Sequence, residues 1–327
     1  MPSYSSVRGV LPISCRSNPY QYVHDAFRRN NYVINHKFIS NDTRFITIPY
    51  EVKQNMLWNN ASVCNTATFL LLVYFVHVRD LERRNLIRQY VKQGMIVDGK
   101  KINYVFVVAS PLRKKEVLHD IKEENTKNGD ILLSVHEDNY PNITITHLDA
   151  MLWVRDYCKE TVFVARVDGD VWIHLGNLIH YLKSIQPYRY YGGGIPWSGI
   201  IEHGAVYKSI HTIPFDFPAQ RWTANVGGAI LYSRDVIPFI NIGTQYMEIL
   251  LPLSDDNTIG EILSRAGIKP SAKPRDYTLY THSYTNTSIV NNTVFQHGIK
   301  DIQLLKEIYS NYSSVYLIPY NLQLLVC

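Results

Sequence analysis

The sequence predicts an α/β fold built on a partly parallel sheet, and two observations carry that prediction. Apolar runs too short to be ordinary helices (Phe69 to Val76, Tyr104 to Ser110 and Phe163 to Val167) are separated by charged segments whose apolar residues recur at helical spacing. Strands that alternate with helices in units of this size are joined by parallel crossovers. In open sheets of that kind ligands bind beyond the carboxyl ends of the strands, and it is there that the run FVARV gives way to two carboxylates, Asp168 and Asp170.

The elements follow in order. Residues 1–65 are polar, tyrosine-rich and aperiodic, and are expected to form an irregular extension packed on one domain spanning 66–327. The run FLLLVYFV from Phe69 reads as a buried strand, being far short of the roughly 20 apolar residues that cross a bilayer. LERRNLIRQYVKQG carries Leu81, Leu86, Ile87 and Val91 at helical spacing with basic residues between them, and Gly94 is the stop. YVFVVAS is the second strand. KKEVLHDIKEENTKNG is a charged helix closed by Gly129, Asp130 to Val135 is a short apolar segment, and a further helix crosses Ile145 to Tyr157 before FVARV. Past Asp170 the chain becomes rich in Gly, Pro and aromatic residues, in YYGGGIPWSG and IPFDFPAQRWTANVGGAILYS. Loops of that composition bring backbone close to a ligand and wall it with rigid rings. The helix DDNTIGEILSRAGI and an amphipathic stretch from Lys300 to Tyr309 complete the chain, with no internal repeat.

Composition narrows the classes. A hydrophobic content of 46% supports a real core and argues against disorder. The net charge of +5 is mild and its Lys and Arg residues are scattered, so nucleic acid is not implied; the densest basic run, Arg113, Lys114 and Lys115, reads as a solvated helix face. Cys15, Cys64, Cys158 and Cys327 lack the spacing of a zinc site and leave room for one or two disulfides. Sequons at Asn41, Asn60, Asn142, Asn286, Asn291 and Asn311 lean weakly towards a secretory lumen. The first thirty residues show no signal-peptide pattern and no stretch reads as a membrane anchor, so the chain at face value is expected to be soluble.

Three places could carry chemistry. On an extended segment side chains at i and i+2 point the same way, so Asp168 and Asp170 can face one hard cation while Gly169 would let a phosphate approach the backbone. Between the apolar runs FVARV and VWI, two uncompensated carboxylates would be costly, which favours a cation site over a plain strand-end turn. Asp255 and Asp256 open a helix with apolar residues at Ile259, Ile262, Leu263 and Ala266 and a stop at Gly267. One Asp suffices as N-cap, which leaves its neighbour for work as a general base. His297, before a glycine in VFQHGIKDI, becomes a candidate in such company.

In this order the pieces resemble the inverting β-1,3-glycosyltransferases, among them the β-1,3-galactosyl- and N-acetylglucosaminyltransferases and the Fringe-like enzymes. ERRNLIRQYV is similar to their "R-x-x-I-R-x-T-W" at Arg84, Ile87 and Arg88. NGDILLSVHEDNYPNITIT is similar to "G-D-I-L … D-x-Y-x-N-L-T-x-K" at Gly129, Asp130, Asp138, Tyr140, Asn142 and Thr144. LDAMLWVRDYC with FVARVDGDVWI parallels a tryptophan, a cysteine and "K-x-D-D-D-V-F". WTANVGGAILYS is similar to "G-G-G-Y-V-L-S", and SDDNTIGEILSRAGI to "E-D-V-x-x-G". The resemblance runs from about Phe69 to His297. It departs at Gly169, Thr146, Tyr90, Val91 and Asp255, where the family has Asp, Lys, Thr, Trp and Glu.

The resemblance implies a GT-A fold, a Rossmann-like sheet that binds a nucleotide sugar and a divalent metal. By that likeness Asp168, Asp170 and His297 would hold Mn²⁺ or another divalent cation, and Arg84, Arg88, Asp138, Asp168, Gly227 and Gly228 would bind the UDP-sugar donor. Asp256 would match the base that deprotonates the acceptor, a glycan on a glycoprotein or glycolipid. A Golgi location and membrane association are likewise implied by the resemblance alone. The rival readings are a relative that binds UDP-sugar without transferring it, and a metal phosphohydrolase; the second lacks the His-rich clusters such sites need.

Overall fold

The computed structural model describes residues 19–29, 46–47, 55–64, 67–111, 114–139, 142–201, 206–207, 211–212, 220–246, 249–250, 255–271, 278–281 and 293–312. Cys15, Cys327, Arg113, Tyr140, the sequons at Asn41, Asn286 and Asn291, most of the 1–65 segment and all of the aromatic loop 213–219 lie outside the described residues.

A short helix, α1 (Gln21–Arg29), comes first, followed by β1 (Thr68–Phe75), α2 (Leu81–Tyr90), β2 (Met95–Val97), β3 (Lys100–Ser110), α3 (Lys115–Asn128) and β4 (Ile131–Glu137). The chain continues through α4 (Ile143–Tyr157), β5 (Thr161–Asp168), β6 (Trp172–Ile173), α5 (Leu175–Lys183), β7 (Tyr191–Gly192) and β8 (Ala229–Ser233). It ends with α6 (Ile237–Gly243), α7 (Asp255–Arg265), β9 (Thr293–Gln296) and α8 (Ile302–Tyr312). The strand order of the main sheet is β2-β3-β1-β5-β8-β7, with β4 beside β3. Strands β4, β3, β1 and β5 run parallel, as the alternating pattern predicts, and β8 returns antiparallel to β5.

Continuous apolar runs form β1, β3 and β5 because both faces of the sheet are covered. Along β1, Leu70, Leu72 and Tyr74 enter one core with Ile87 of α2, Ile121 of α3 and Leu178 of α5. Leu71 and Val73 enter the other, with Trp153 of α4, Phe239 of α6 and Ile262 of α7. Helix α3 closes at Gly129, which takes the left-handed conformation (φ 64°) expected of a C-terminal glycine. Strand β3 starts earlier than its apolar run, at Lys100, because the turn at Asp98 and Gly99 folds β2 back onto it.

The aperiodic reading of residues 1–65 missed α1. Its apolar stripe is only Val23, Ala26 and Phe27, yet Val23 and Phe27 are fully buried and Phe27 stacks on Tyr246 at 4.9 Å. A second anchor is the disulfide Cys64–Cys158, which joins the segment before β1 to the end of α4 across 94 residues of sequence. Closing a loop of that length removes unfolded-state entropy worth about 4–5 kcal/mol in the chain-entropy account. The double variant Cys64→Ser/Cys158→Ser should therefore lose stability of that order in urea titrations; a loss under about 1 kcal/mol would show that the disulfide does not constrain the unfolded chain.

Candidate active site

The cluster at the sheet's carboxyl edge is assembled from two distant stretches of chain. Strand β5 delivers Asp168, and Asp170 follows two residues on. Strand β9 pairs antiparallel with β6, Gln296 opposite Trp172 and Phe295 opposite Ile173, so the chain beyond β9 runs back along the Asp-Gly-Asp turn. The Ile299 N–H donates to the Asp170 carbonyl at 3.0 Å, and the His297 ring lands against both carboxylates. His297 Nε2 is 3.3 Å from Asp170 Oδ1 and 3.9 Å from Asp168 Oδ2. Gly228 makes the room: a Cβ there would stand 2.4 Å from His297 Cδ2 and 2.6 Å from Val171 Cγ2.

These ligand atoms all lie within 4.8 Å of one another. Donors about 2.1 Å from a common ion span roughly 3 to 4.3 Å, so two carboxylates and an imidazole close on a divalent cation with small side-chain adjustments. The two carboxylates are unequally compensated by the protein. Burial pushes the Asp168 carboxyl up to about 6 against the pull of Arg166, with Asp255 and Asp170 adding to the rise. Burial also pushes Asp170 up, but the His297 ring and the Arg83 guanidinium outweigh it and hold that carboxyl below its ordinary value.

Behind the cluster lies a charge that the reading of the strand overlooked. Arg166, in the middle of FVARV and 2% exposed, shares the β5 face that carries Asp168. Its Nη1 is 2.6 Å from Asp168 Oδ1 and its Nη2 is 2.8 Å from Asp255 Oδ2, while the Phe75 ring lies 4.8 Å from its guanidinium. Asp255 Oδ2 also meets His147 Nδ1 of α4 at 2.8 Å. Burial lowers the His147 pKa, so the ring is neutral and donates to an Asp255 carboxylate that Arg166 keeps ionised. Asp255 is thus more than a helix cap: it anchors the start of α7 to β5 and α4. The signal was available, since a cation inside a buried apolar run requires a partner.

Asp256, next in α7, is partly exposed; its Oδ1 accepts from the Asn257 N–H at 2.9 Å, and its Oδ2 lies 3.4 Å from the Gly227 N–H. The glycine pair therefore joins the two candidate groups, Gly227 touching Asp256 and Gly228 seating His297. On the other side of Asp168 opens a cleft of about 360 Å³ lined by Phe75, His77, Ala109, Asp138, Thr146 and Asp168. In it Asp138 Oδ2 accepts from the Val78 N–H at 3.0 Å and lies 3.4 Å from His77 Nε2.

Arg84 and Arg88 are set apart from this cluster. Arg84 is 1% exposed; it pairs with Glu124 at 2.7 Å and donates to the His77 and Val78 carbonyls. Arg88 pairs with Glu124 at 2.7 Å and with Asp130 at 2.8 Å. Arg84 reaches the cleft only through the backbone it holds after β1. Gly169 also differs from expectation. A Cβ there would meet Arg83 Cδ and Val76 Cγ2 at 3.1 Å, so protein, and not an approaching phosphate, fills the space beside it.

A cleft at the carboxyl ends of parallel strands, flanked by an acidic pair with a histidine, is the ligand-binding place of an open α/β sheet. A sequence model described as galactosyltransferase matches residues 82–274, more than half of the chain, and the chain belongs to that family, with the α/β architecture and mostly parallel central sheet its sequence predicts. It is 26% identical over 224 residues to a human acetylgalactosaminyl-O-glycosyl-glycoprotein beta-1,3-N-acetylglucosaminyltransferase, covering 66% of this chain and 58% of that one. It is 25% identical over 248 residues to mouse beta-1,3-galactosyltransferase 2, covering 73% and 57%. A Xenopus tropicalis lactosylceramide 1,3-N-acetyl-beta-D-glucosaminyltransferase is 25% identical over 229 residues, covering 65% and 59%. The matched region spans less than two thirds of the length of each of these relatives.

The Arg166 assembly should dominate local stability. Arg166→Met leaves Asp168 and Asp255 without their shared cation and should cost about 3–5 kcal/mol in urea unfolding. Adding Asp255→Asn should recover part of that loss. If the two changes are instead additive, the pair is not coupled.

Proposed function

We propose that the protein is a metal-dependent inverting glycosyltransferase that moves a hexose, galactose or N-acetylglucosamine, from a UDP-sugar to a glycan hydroxyl in β-1,3 linkage. The observation that carries this reading is the Asp168, Asp170 and His297 cluster, beside a cleft and a helix-borne carboxylate, in a chain of the galactosyltransferase family. The names of the relatives describe β-1,3 transfer of N-acetylglucosamine or galactose, some to glycoprotein glycans and some to lactosylceramide, which supports a glycoconjugate acceptor.

In this reading the nucleotide occupies the cleft, with Asp138 towards its base and ribose end and Arg84 and Arg88 bracing the walls from behind. Asp168, Asp170 and His297 would hold a divalent cation, Mn²⁺ being well suited to two carboxylates and an imidazole, which would supply positive charge to the diphosphate leaving group. Asp256 takes the proton of the acceptor hydroxyl as its oxygen forms the new bond to the anomeric carbon. The bond from that carbon to the diphosphate oxygen breaks, its electron pair leaves with UDP, and attack from the opposite face inverts the centre. Gly227 and Gly228 bring the backbone close beside both groups. The Cys64–Cys158 disulfide supports an oxidising compartment, consistent with the Golgi lumen that the resemblance implies.

The test is UDP release from UDP-galactose and UDP-N-acetylglucosamine with acceptors ending in galactose, N-acetylglucosamine or N-acetylgalactosamine. Asp256→Asn should lose about 10²- to 10⁴-fold in kcat while binding UDP with Mn²⁺ normally. Asp170→Ala should lose the metal-dependent part of UDP binding. Native protein that binds UDP with Mn²⁺ yet releases none from any pair would favour the non-transferring relative.

A further inference from the structure

One guanidinium bridges the two stretches that supply the cation ligands. Arg83, in the first turn of α2, has a side chain only 9% exposed. Its Nη1 donates to the carbonyl of Gly169 at 3.2 Å, the residue between Asp168 and Asp170. The same Nη1 donates to the Ile299 carbonyl at 3.0 Å, and Nη2 to the Lys300 carbonyl at 2.7 Å, two and three residues beyond His297. The remaining donor, Nε, is held at 2.7 Å by Asp80 Oδ2, and the other oxygen of Asp80 caps α2 by accepting from the Arg83 N–H at 3.2 Å.

We infer that Arg83 is a positioning residue for the cation site: its planar fork fixes the separation between the Asp168/Asp170 turn and the His297 turn, and Gly169 is a glycine because the Arg83 stem crosses where a side chain would begin. The proposal rests on the metal reading given above. Three observations bear on it independently. The short β6–β9 ladder pairs only two residues on each strand, and past it the two turns are tied by the Ile299 N–H to the Asp170 carbonyl and by the three carbonyl bonds of Arg83. Among the described residues, the side-chain hydrogen bonds of Arg83 run to both turns and to its own helix cap. And any Cβ at Gly169 would press on Arg83 Cδ, Val76 Cγ2 and the Phe75 carbonyl, at 3.1, 3.1 and 3.3 Å. A lysine could not replace the fork, because one ammonium on a flexible stem cannot hold three carbonyls of fixed orientation and a carboxylate at once.

The experiment titrates Mn²⁺ alone into the full chain, counting free ion by electron paramagnetic resonance, and records the electron spin-echo modulation from nitrogen bound to the ion. Native protein should show that modulation and His297→Ala should not. Arg83→Met and Arg83→Lys should bind Mn²⁺ about 10- to 100-fold more weakly, the range seen when groups that orient ligands are removed, and should lose or weaken the nitrogen signal. Glu82→Gln, which breaks the surface pair between Glu82 and Lys306 linking α2 to α8, should change neither. Arg83→Lys keeps the charge and most of the stem, and supplies the comparison if Arg83→Met does not fold. An Arg83 variant with native affinity and native nitrogen modulation would overturn the proposal while leaving the metal site standing. Native protein that takes up no Mn²⁺, or shows no nitrogen signal, would instead sink the metal reading and the proposal with it.

Discussion

A buried guanidinium cannot be left alone, and the fold is arranged around satisfying the one at Arg166. It sits between Ala165 and Val167 towards the end of β5 and is reached by two carboxylates from different parts of the chain. One is Asp168 at the end of the same strand, and the other is Asp255 at the start of α7, itself steadied by His147 of α4. Sheet edge, α4 and α7 are thereby locked to one another at the site. Asp168 keeps one oxygen on Arg166 and turns the other towards His297, and Asp256, one residue beyond the anchored Asp255, is delivered beside the glycine pair.

Topology explains why this lock stands at a cleft. From β1 the chain crosses to β3 and β4 on one side, while β5 on the other side of β1 leads on towards β8. Where neighbouring strands send their connections in opposite directions a crevice opens beyond their carboxyl ends. The walls here come from Phe75 at the end of β1, from His77 just beyond it and from Asp168 at the end of β5. Arg84 and Arg88 stiffen that wall indirectly, through ion pairs with Glu124 and Asp130 that tie α2 to α3 and the start of β4.

Much of this was legible in the sequence because local patterns report local burial. The runs that form β1, β3 and β5 are uninterrupted because helices cover both faces, and Gly129 marks the end of α3 as a glycine in a left-handed cap should. The i, i+2 spacing of Asp168 and Asp170 gave their common direction. What escaped were facts that depend on distant partners. Helix α1 is specified by three apolar residues, too few to stand out from a polar segment. The approach of His297 rests on a two-residue ladder between segments more than a hundred residues apart, which leaves no periodic trace. Asp255 looked like a cap because a cap is the usual reason for Asp at a helix start, and Gly169 looked like an opening because its filler, Arg83, lies on another element.

The central claim is that Asp168, Asp170 and His297 form one cation site serving a nucleotide-sugar cleft. The most direct measurement is anomalous diffraction from crystals grown with Mn²⁺ and UDP. The account predicts a manganese peak ligated by those three side chains with the diphosphate beside it and the uridine in the cleft below Asp138. A peak held by other residues, or UDP bound in that cleft with no ion between the two carboxylates and His297, would contradict it.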